Sequence, residues 1–194
     1  MSAIGFELEE IQGIRLLRLV SDDGTNRLKR ELVVDLTKTI SELANVPAPL
    51  VIAGNERFFS AGADLREIAD LDAASAYEFS KMGQALMRDV DNFPALVYAA
   101  ISGYCMGGGL DLALACRYRI ASPHAAFGHR GAALGLITGW GGTQRLPRLI
   151  GRAAALQLFV AAEKLSAGQA LRIGLVDAIS DDPVAETIRR IQAS

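Results

Sequence analysis

The segment from Ala95 to Cys116 constrains the fold more strongly than any other part of the sequence. It opens with a short apolar run, Ala95 to Ile101, which predicts a strand buried on both faces. Three consecutive glycines, Gly107 to Gly109, then open a second apolar run, which predicts a helix. Because glycine has no Cβ, a backbone N–H in such a loop can lie directly beside a ligand, and the start of a helix adds partial positive charge. The junction therefore predicts a site that can hold a negatively charged oxygen.

One carboxylate interrupts this apolar segment. Asp111 is the only charged residue between Asn92 and Cys116, and it falls in the first turn of the predicted helix. A carboxylate in such surroundings is costly unless it is paired, hydrogen-bonded or used in chemistry. An acidic residue in a first helical turn can also serve only as a cap or as a partner of the helix dipole. The sequence leaves both interpretations of Asp111 open.

The composition limits the domain count and the partners of the protein. With 194 residues, of which 51% are hydrophobic, residues 1–194 are predicted to form a single domain with an ample core. The formal net charge is -2 and the basic residues are scattered, so we expect neither nucleic acid nor an anionic membrane as a partner. The uncharged run around residues 93–116 is broken by glycines and by Asp111, and it is interpreted as core rather than as a membrane span.

The cysteines and the N-terminus indicate the compartment. Cys105 and Cys116 lie in the apolar centre without the spacing of a metal site or a redox pair. This pattern favours buried, reduced thiols in a cytoplasmic protein. The segment Met1 to Glu10 lacks the basic and apolar regions of a signal peptide. We therefore expect a cytoplasmic protein.

Strand and helix patterns alternate along the chain, which predicts an α/β fold with a largely parallel sheet. Apolar segments on either side of Gln12-Gly13 predict a hairpin at the start of the chain. The small residues 60–63 directly precede an amphipathic segment, which predicts a second loop-to-helix junction. Helices are predicted over 32–43, 73–90, 143–150, 152–160, 166–172 and 183–193. Further strands are predicted over 50–53, 118–121, 125–128 and 176–179.

Several common motifs are absent from the sequence. The glycine cluster matches neither the phosphate-binding loop nor the spacing of a dinucleotide-binding loop, and the chain has no G-x-S-x-G segment. Its only histidines are His124 and His129, which are too few for a histidine-rich metal site. We therefore expect no metal ion.

Several segments together resemble the enoyl-CoA hydratase/isomerase (crotonase) superfamily. They follow one another from about residue 6 to residue 180, and those that carry the resemblance are Thr25–Leu28, Phe59–Glu67, Ile101–Ala113, Phe127–Gly128, Gly139–Pro147 and Leu165–Asp177. The resemblance implies an α/β fold of the crotonase type, a spiral of repeated β-β-α units. It also implies a homo-oligomer, either a trimer or a hexamer.

The resemblance further implies a substrate and a site. Members of this family bind an acyl-CoA thioester, or an acyl-carrier thioester, and stabilise its enolate with two backbone N–H groups, here Ala63 and Gly108. Each such donor can contribute about 3 to 4 kcal/mol. Asp64, Leu65 and Arg66 would lie with Ala63 along the adenine and pantetheine of CoA. Since CoA enters as part of the substrate, no separate cofactor is expected. Gly108→Val is expected to abolish turnover and to leave the fold broadly intact.

The chain departs from the family pattern at two positions. Where the resemblance places the two glutamates that hold water in family hydratases, this sequence has Asp111 and Gly131. We therefore expect hydration to be weak or absent. If the scaffold is otherwise competent, we expect a gain when Asp111→Glu is combined with Gly131→Glu. Other pocket candidates are His129, Arg130 and Thr138.

The functional alternatives differ in how they use these groups. The first is an acyl-CoA enzyme of the hydratase/isomerase type with an unassigned reaction. The second is an isomerase, a decarboxylase or a thioester hydrolase that uses Asp111 alone or with His129. The third is a catalytically silent binding or assembly subunit. By resemblance the chain is also expected to be a C-terminally short member, without the usual C-terminal helices that cover the acyl pocket.

Overall fold

The computed structural model describes residues 5–193. Ser194 lies outside the described residues, and so do residues 1–4, which are part of the N-terminal segment in which the sequence shows no signal-peptide pattern. The strands are β1 (Phe6–Ile11), β2 (Ile14–Leu19), β3 (Arg27–Leu28), β4 (Leu50–Ala53), β5 (Phe58–Ser60), β6 (Gly62–Ala63), β7 (Val97–Ile101), β8 (Tyr104–Met106), β9 (Tyr118–Ala121), β10 (Ala126–Gly128), β11 (Leu165–Ser166) and β12 (Ala178–Ile179). The helices are α1 (Arg30–Leu43), α2 (Leu65–Ala69), α3 (Ala73–Asp91), α4 (Gly108–Ala115), α5 (Gly142–Ile150), α6 (Arg152–Ala161), α7 (Ala167–Arg172) and α8 (Pro183–Gln192), with a 3₁₀ turn over Gly131–Leu134.

The larger sheet has six strands in the order β1-β2-β4-β7-β9-β12. Only the hairpin β1–β2 is antiparallel, and every other pair in this sheet is parallel. The predicted hairpin and the predicted parallel sheet are therefore confirmed. Strand β7 lies in the middle of the sheet and all five of its residues are buried, as its apolar run predicted. Strands β4 and β9 pair with its two edges. On one face Ala100 packs with side chains of α8, and on the other Val97, Ala99 and Ile101 join the main hydrophobic cluster.

A second, smaller sheet is built largely from the segments that carry the family resemblance. It has the order β11-β10-β8-β5, and a separate short pair joins β3 to β6 in parallel. Most of these strands have only two or three residues, so they show no period-two pattern, and the sequence did not predict β3, β5, β6, β8 or β11. Their pairing is long-range, which no local pattern reports.

Two helices begin with the residues that the sequence predicted at their N-termini. Ser166 caps α7 through a reciprocal pair of hydrogen bonds with Gln169, and Pro183 occupies the first turn of α8. Helix α4 is buried almost all round, because its side chains are apolar apart from Asp111. In residues 5–193, no helix is both long enough and apolar enough to cross a bilayer.

Candidate active site

A cavity of about 880 Å³ opens where α2, α4, α6 and the segment after β10 meet. Its walls are mostly apolar. Among the described residues that line it, the ionisable ones are Asp111, His129 and Arg130. Asp111 is therefore the only carboxylate on the described wall. A large apolar cavity with a few polar groups is the usual form of a small-molecule site.

The two predicted amide donors, Ala63 and Gly108, both line this cavity and lie side by side. A Cβ placed on Gly108 would be 3.3 Å from the nitrogen of Ala63. A Cβ on Gly62 would be 2.9 Å from the nitrogen of Gly108, and the φ of +91° at Gly62 suits glycine best. Gly108 is the first residue of α4, so its N–H has no acceptor within the helix. The arrangement fits an anionic oxygen, and the role of these two amides remains a prediction.

A buried asparagine fixes the strand that presents Ala63. Asn26 is 1% exposed, and its side-chain amide donates to the backbone oxygens of Phe58 at 3.0 Å and of Phe59 at 3.2 Å. The Ser60 hydroxyl donates to the oxygen of Asn26 at 2.7 Å and accepts from the nitrogen of Gly62 at 3.0 Å. The segment Thr25–Leu28, which the sequence singled out only by resemblance, therefore holds the chain just before Ala63 in place.

Trp140 forms the floor beside Gly108, a contact that the sequence did not predict. A Cβ on Gly108 would come within 2.6 Å of the indole ring, and a Cβ on Gly83 of α3 would overlap the ring from the other side. The indole nitrogen donates to the backbone oxygen of Phe79 at 3.2 Å, and the Trp140 side chain is 3% exposed. A side chain at position 108 would therefore have to displace this ring, so Gly108→Val is expected to cost stability as well as turnover. That the fold stays broadly intact remains a prediction.

Asp111 turns away from its own helix. It lies in the first turn of α4 and is 1% exposed, but its carboxylate accepts no hydrogen bond from the first turn of that helix. Instead Oδ2 accepts a hydrogen bond from the Thr138 hydroxyl. Oδ1 lies 3.3 Å from Nε2 of His129, yet neither of these two buried atoms has an aligned hydrogen-bond partner among residues 5–193. The side chain of Asp111 is therefore not a helix cap.

Gly142, the first residue of α5, makes room for this cluster. A Cβ at that position would overlap Oδ1 of Asp111 and would lie 3.0 Å from Nε2 of His129 and 2.9 Å from Cγ2 of Thr138. Three side chains from three separate segments thus converge on one glycine. The sequence named all three as candidates but did not predict that they meet, nor that Gly142 is what allows them to do so.

The remaining candidates occupy different surroundings. The carboxylate of Asp64 caps α2 by accepting from the nitrogen of Arg66 at 2.9 Å. Leu65 is 54% exposed and lines the cavity, whereas Arg66 is exposed and is not part of the described wall. Arg130 is exposed at the edge of the cavity. The predicted contacts of Asp64, Leu65 and Arg66 with CoA remain predictions.

Gly131 also lines the cavity, and its surroundings bear on the gain expected from the double change. A Cβ at this position would lie 2.6 Å from the backbone oxygen of Leu136. A glutamate at 131 would therefore force the segment from 131 to 136 to move. The gain predicted for Asp111→Glu with Gly131→Glu therefore requires this segment to move, and it remains a prediction.

The two cysteines are free and buried, as the sequence predicted. Burial raises the pKa of the Cys116 thiol to about 12. Burial also raises the pKa of Cys105 well above its ordinary value, with smaller contributions from Cys116 and Asp111. Both thiols are therefore neutral at ordinary pH. In the described part of the chain, no group of three or more His, Cys, Asp or Glu side chains is arranged to hold a metal ion.

Comparison with known proteins gives a consistent result. The family model for enoyl-CoA hydratase/isomerase matches residues 9–193. The chain is 36% identical over 175 residues to the crotonyl-CoA hydratase of Syntrophomonas wolfei, an alignment that covers 89% of this chain and 67% of that protein. It is also 36% identical over 197 residues to the probable enoyl-CoA hydratase of Bacillus subtilis, covering 100% of this chain and 74% of that one.

The likeness extends to solved structures. The enoyl-CoA hydratase from Thermoplasma volcanium superposes with a TM-score of 0.93 at 33% identity, covering 98% of this chain and 77% of that chain. This agreement confirms the predicted α/β fold of the crotonase type, with its spiral of β-β-α units. The chain therefore belongs to the enoyl-CoA hydratase/isomerase family within the crotonase superfamily.

Proposed function

We propose that this protein binds an acyl-CoA thioester and stabilises its enolate at the amides of Ala63 and Gly108, with Asp111 as the carboxylate that moves protons. One observation carries this proposal. A single cavity contains two adjacent amides and, among its described lining residues, a single carboxylate that is not used as a cap. Membership of the enoyl-CoA hydratase/isomerase family supports the thioester as the substrate class.

The chemistry follows from where charge develops. Removing a proton beside the thioester, or adding water to its conjugated double bond, places negative charge on the thioester oxygen. Two N–H groups fixed beside that oxygen stabilise the charge more in the transition state than in the substrate. The start of α4 adds its partial positive charge at the same place. CoA is part of the substrate, and the proposed chemistry uses no separate cofactor.

Two reactions of the enoyl-CoA thioester are candidates. Hydration is favoured by the relatives, which carry the names crotonyl-CoA hydratase and probable enoyl-CoA hydratase. A shift of the double bond is favoured by the cavity wall, because one proton carrier suffices for that reaction and Asp111 is the only carboxylate on the described wall. Weak hydration therefore remains the expected behaviour of this chain.

A panel of enoyl-CoA thioesters of different chain length and double-bond position tests the proposal. Products of hydration and of isomerisation would be separated by chromatography for the natural chain, for Asp111→Asn and for Asp181→Asn. Asp181 is exposed and lies far along the chain from the cavity residues, which makes it a matched control. We expect turnover by the natural chain and by Asp181→Asn, and a large loss in Asp111→Asn. Binding of the thioesters without any turnover would instead favour the silent subunit.

We also propose that the protein assembles as a homo-oligomer, a trimer or a hexamer. Large apolar side chains are exposed at the cavity rim, among them Ile137 at 72%, Val160 at 68% and Leu156 at 64%. Exposed apolar surface of this kind commonly marks an interface. Light scattering at micromolar concentration should give the mass of three or six chains, and a stable monomer would refute the proposal.

A further inference from the structure

The pair formed by Asp111 and His129 is built as one unit. Oδ1 of Asp111 and Nε2 of His129 are 3.3 Å apart, and each is a buried atom without an aligned hydrogen-bond partner among residues 5–193. Leaving both atoms unsatisfied is costly, and a proton taken up between them during the reaction would satisfy both. Hydrogen bonds of catalytic groups are often long or poorly aligned before substrate binds.

Contacts with neighbouring residues restrict the positions of both side chains. Thr138 donates to the other carboxylate oxygen of Asp111, which limits rotation of that side chain. Phe159 of α6 packs against the His129 ring with centroids 5.1 Å apart. Gly142 of α5 packs directly against the cluster, which is possible because glycine has no side chain. Each partner is therefore held from a different element.

Few other charged groups lie near this pair, and two helix starts face the carboxylate. Asp111 lies in the first turn of α4 and against the first residue of α5, so two helix starts favour its negative charge. The other ionisable groups near the pair are Arg130, at the edge of the cavity, and the buried thiol of Cys105, which is neutral. The contacts from α5 and α6 are Gly142 and Phe159, which do not titrate.

We infer that Asp111 and His129 act as one proton-transfer unit, in which His129 takes up the proton that Asp111 removes from the thioester substrate. The inference rests on the proposed function. Ionised Asp111 breaks a C–H bond next to the thioester carbonyl, and the electron pair of that bond passes into the thioester as its enolate. The proton moves on to Nε2 of His129, which is free to accept it because the neutral ring carries its own hydrogen on Nδ1. This transfer leaves Asp111 ionised beside an imidazolium. The proton returns by the same path to a carbon of the enolate, so no external acid is needed.

This role provides a second proton carrier in a chain that has glycine at position 131. His129 lies two residues before Gly131 and, unlike that glycine, has a side chain that reaches Asp111. His129 acts through Asp111 and is therefore a positioning and proton-storing residue. The resemblance named His129 as a pocket candidate that could act with Asp111, but the sequence did not predict how close the two side chains lie.

His129→Gln is the decisive variant, because the glutamine amide can donate a hydrogen bond to Asp111 but cannot take up its proton. His124→Gln is the matched control, since His124 is the other histidine and is exposed. We expect kcat of His129→Gln to fall about 10²-fold with KM changed by less than about threefold. The pH profile of kcat should lose one limb in His129→Gln and keep its shape in His124→Gln.

Two outcomes would overturn the inference. If His129→Gln keeps kcat within about threefold of the natural chain while Asp111→Asn is inactive, a donor at 129 suffices and His129 carries no proton. If the natural chain turns over no acyl-CoA at all, the proposed function fails and the inference with it. Should His129→Gln fold poorly by circular dichroism, His129→Gly with added imidazole replaces it. Rescue by imidazole but not by pyrrole, which has a similar shape and is not basic, supports the inference, and equal rescue by both contradicts it.

Discussion

Asp64 and Asp111 lie at two similar loop-to-helix junctions but have different roles. Each follows a run of small residues and lies at the start of a helix, and the amides of Ala63 and Gly108 at these junctions lie side by side. The carboxylate of Asp64 turns back and accepts from the nitrogen of Arg66. Its role is local, because it satisfies a backbone donor that the helix leaves free.

The carboxylate of Asp111 turns outward from its helix instead. Its partners are Thr138 and His129, which come from other segments of the chain. An acidic residue at a helix start is thus a cap when its oxygen meets the N–H groups of that helix, and a candidate for chemistry when it does not. The comparison predicts that Asp64 matters to stability and Asp111 to turnover.

The largest expected effect is on turnover, in a matched pair of variants. Asp111→Asn should lower kcat/KM for an acyl-CoA by about 10²- to 10⁴-fold, because the amide cannot accept a proton. Asp64→Asn should leave kcat nearly unchanged, because asparagine caps a helix as well as aspartate does and Asp64 takes no part in proton transfer. Steady-state kinetics with circular dichroism as a folding control measure both. Equal losses in the two variants would erase the proposed difference between the junctions.

The next effect concerns the amide of Gly108 and the ring beside it. Gly108→Val should lose turnover and should also lower the free energy of unfolding by about 1 to 3 kcal/mol, because its Cβ meets Trp140. Urea denaturation measures the second loss. In a Trp140→Phe background the stability cost of Gly108→Ala should shrink, since residues in contact are not additive. An undiminished cost would show that the strain arises elsewhere.

The smallest expected effect is the loss of the cap at Asp64. Asp64→Ala should lower the free energy of unfolding by about 1 kcal/mol, since the nitrogen of Arg66 loses its acceptor. Asp64→Asn should cost much less, and the difference between the two variants isolates the cap. Urea denaturation of both would detect it, provided that the slopes of the two transitions agree. A cost of the same size in both variants would mean that the charge of Asp64, not its hydrogen bond, stabilises α2.

The sequence predicted those parts of the fold that carry their own pattern. The apolar run of β7 and the glycine-led start of α4 were read correctly, because burial on every side leaves an uninterrupted apolar signature. The short strands β5, β6 and β8, which present Ala63 and lead into Gly108, were not predicted. Their two or three residues have no periodicity, and only pairing between distant segments makes them strands.

The candidate site, too, could be predicted only in part. Asp111 could be singled out because it is the only charge in a long apolar segment. Its contacts with Thr138 and His129, and the space that Gly142 leaves for them, depend on packing between elements that are far apart in sequence. Trp140 is the only tryptophan of the chain and lies inside a segment that carried the family resemblance, which was the one available hint of its importance.

The most direct test of the account is exchange of the protons next to the thioester carbonyl of a saturated acyl-CoA, followed by NMR in heavy water. This exchange reports enolate formation whatever the natural reaction is. We predict that the natural chain and Asp64→Asn catalyse the exchange, and that Asp111→Asn does so at least about 10²-fold more slowly. Absence of exchange with the natural chain, or exchange that persists in Asp111→Asn, would contradict the assignment of Asp111 as the proton carrier beside the amides of Ala63 and Gly108.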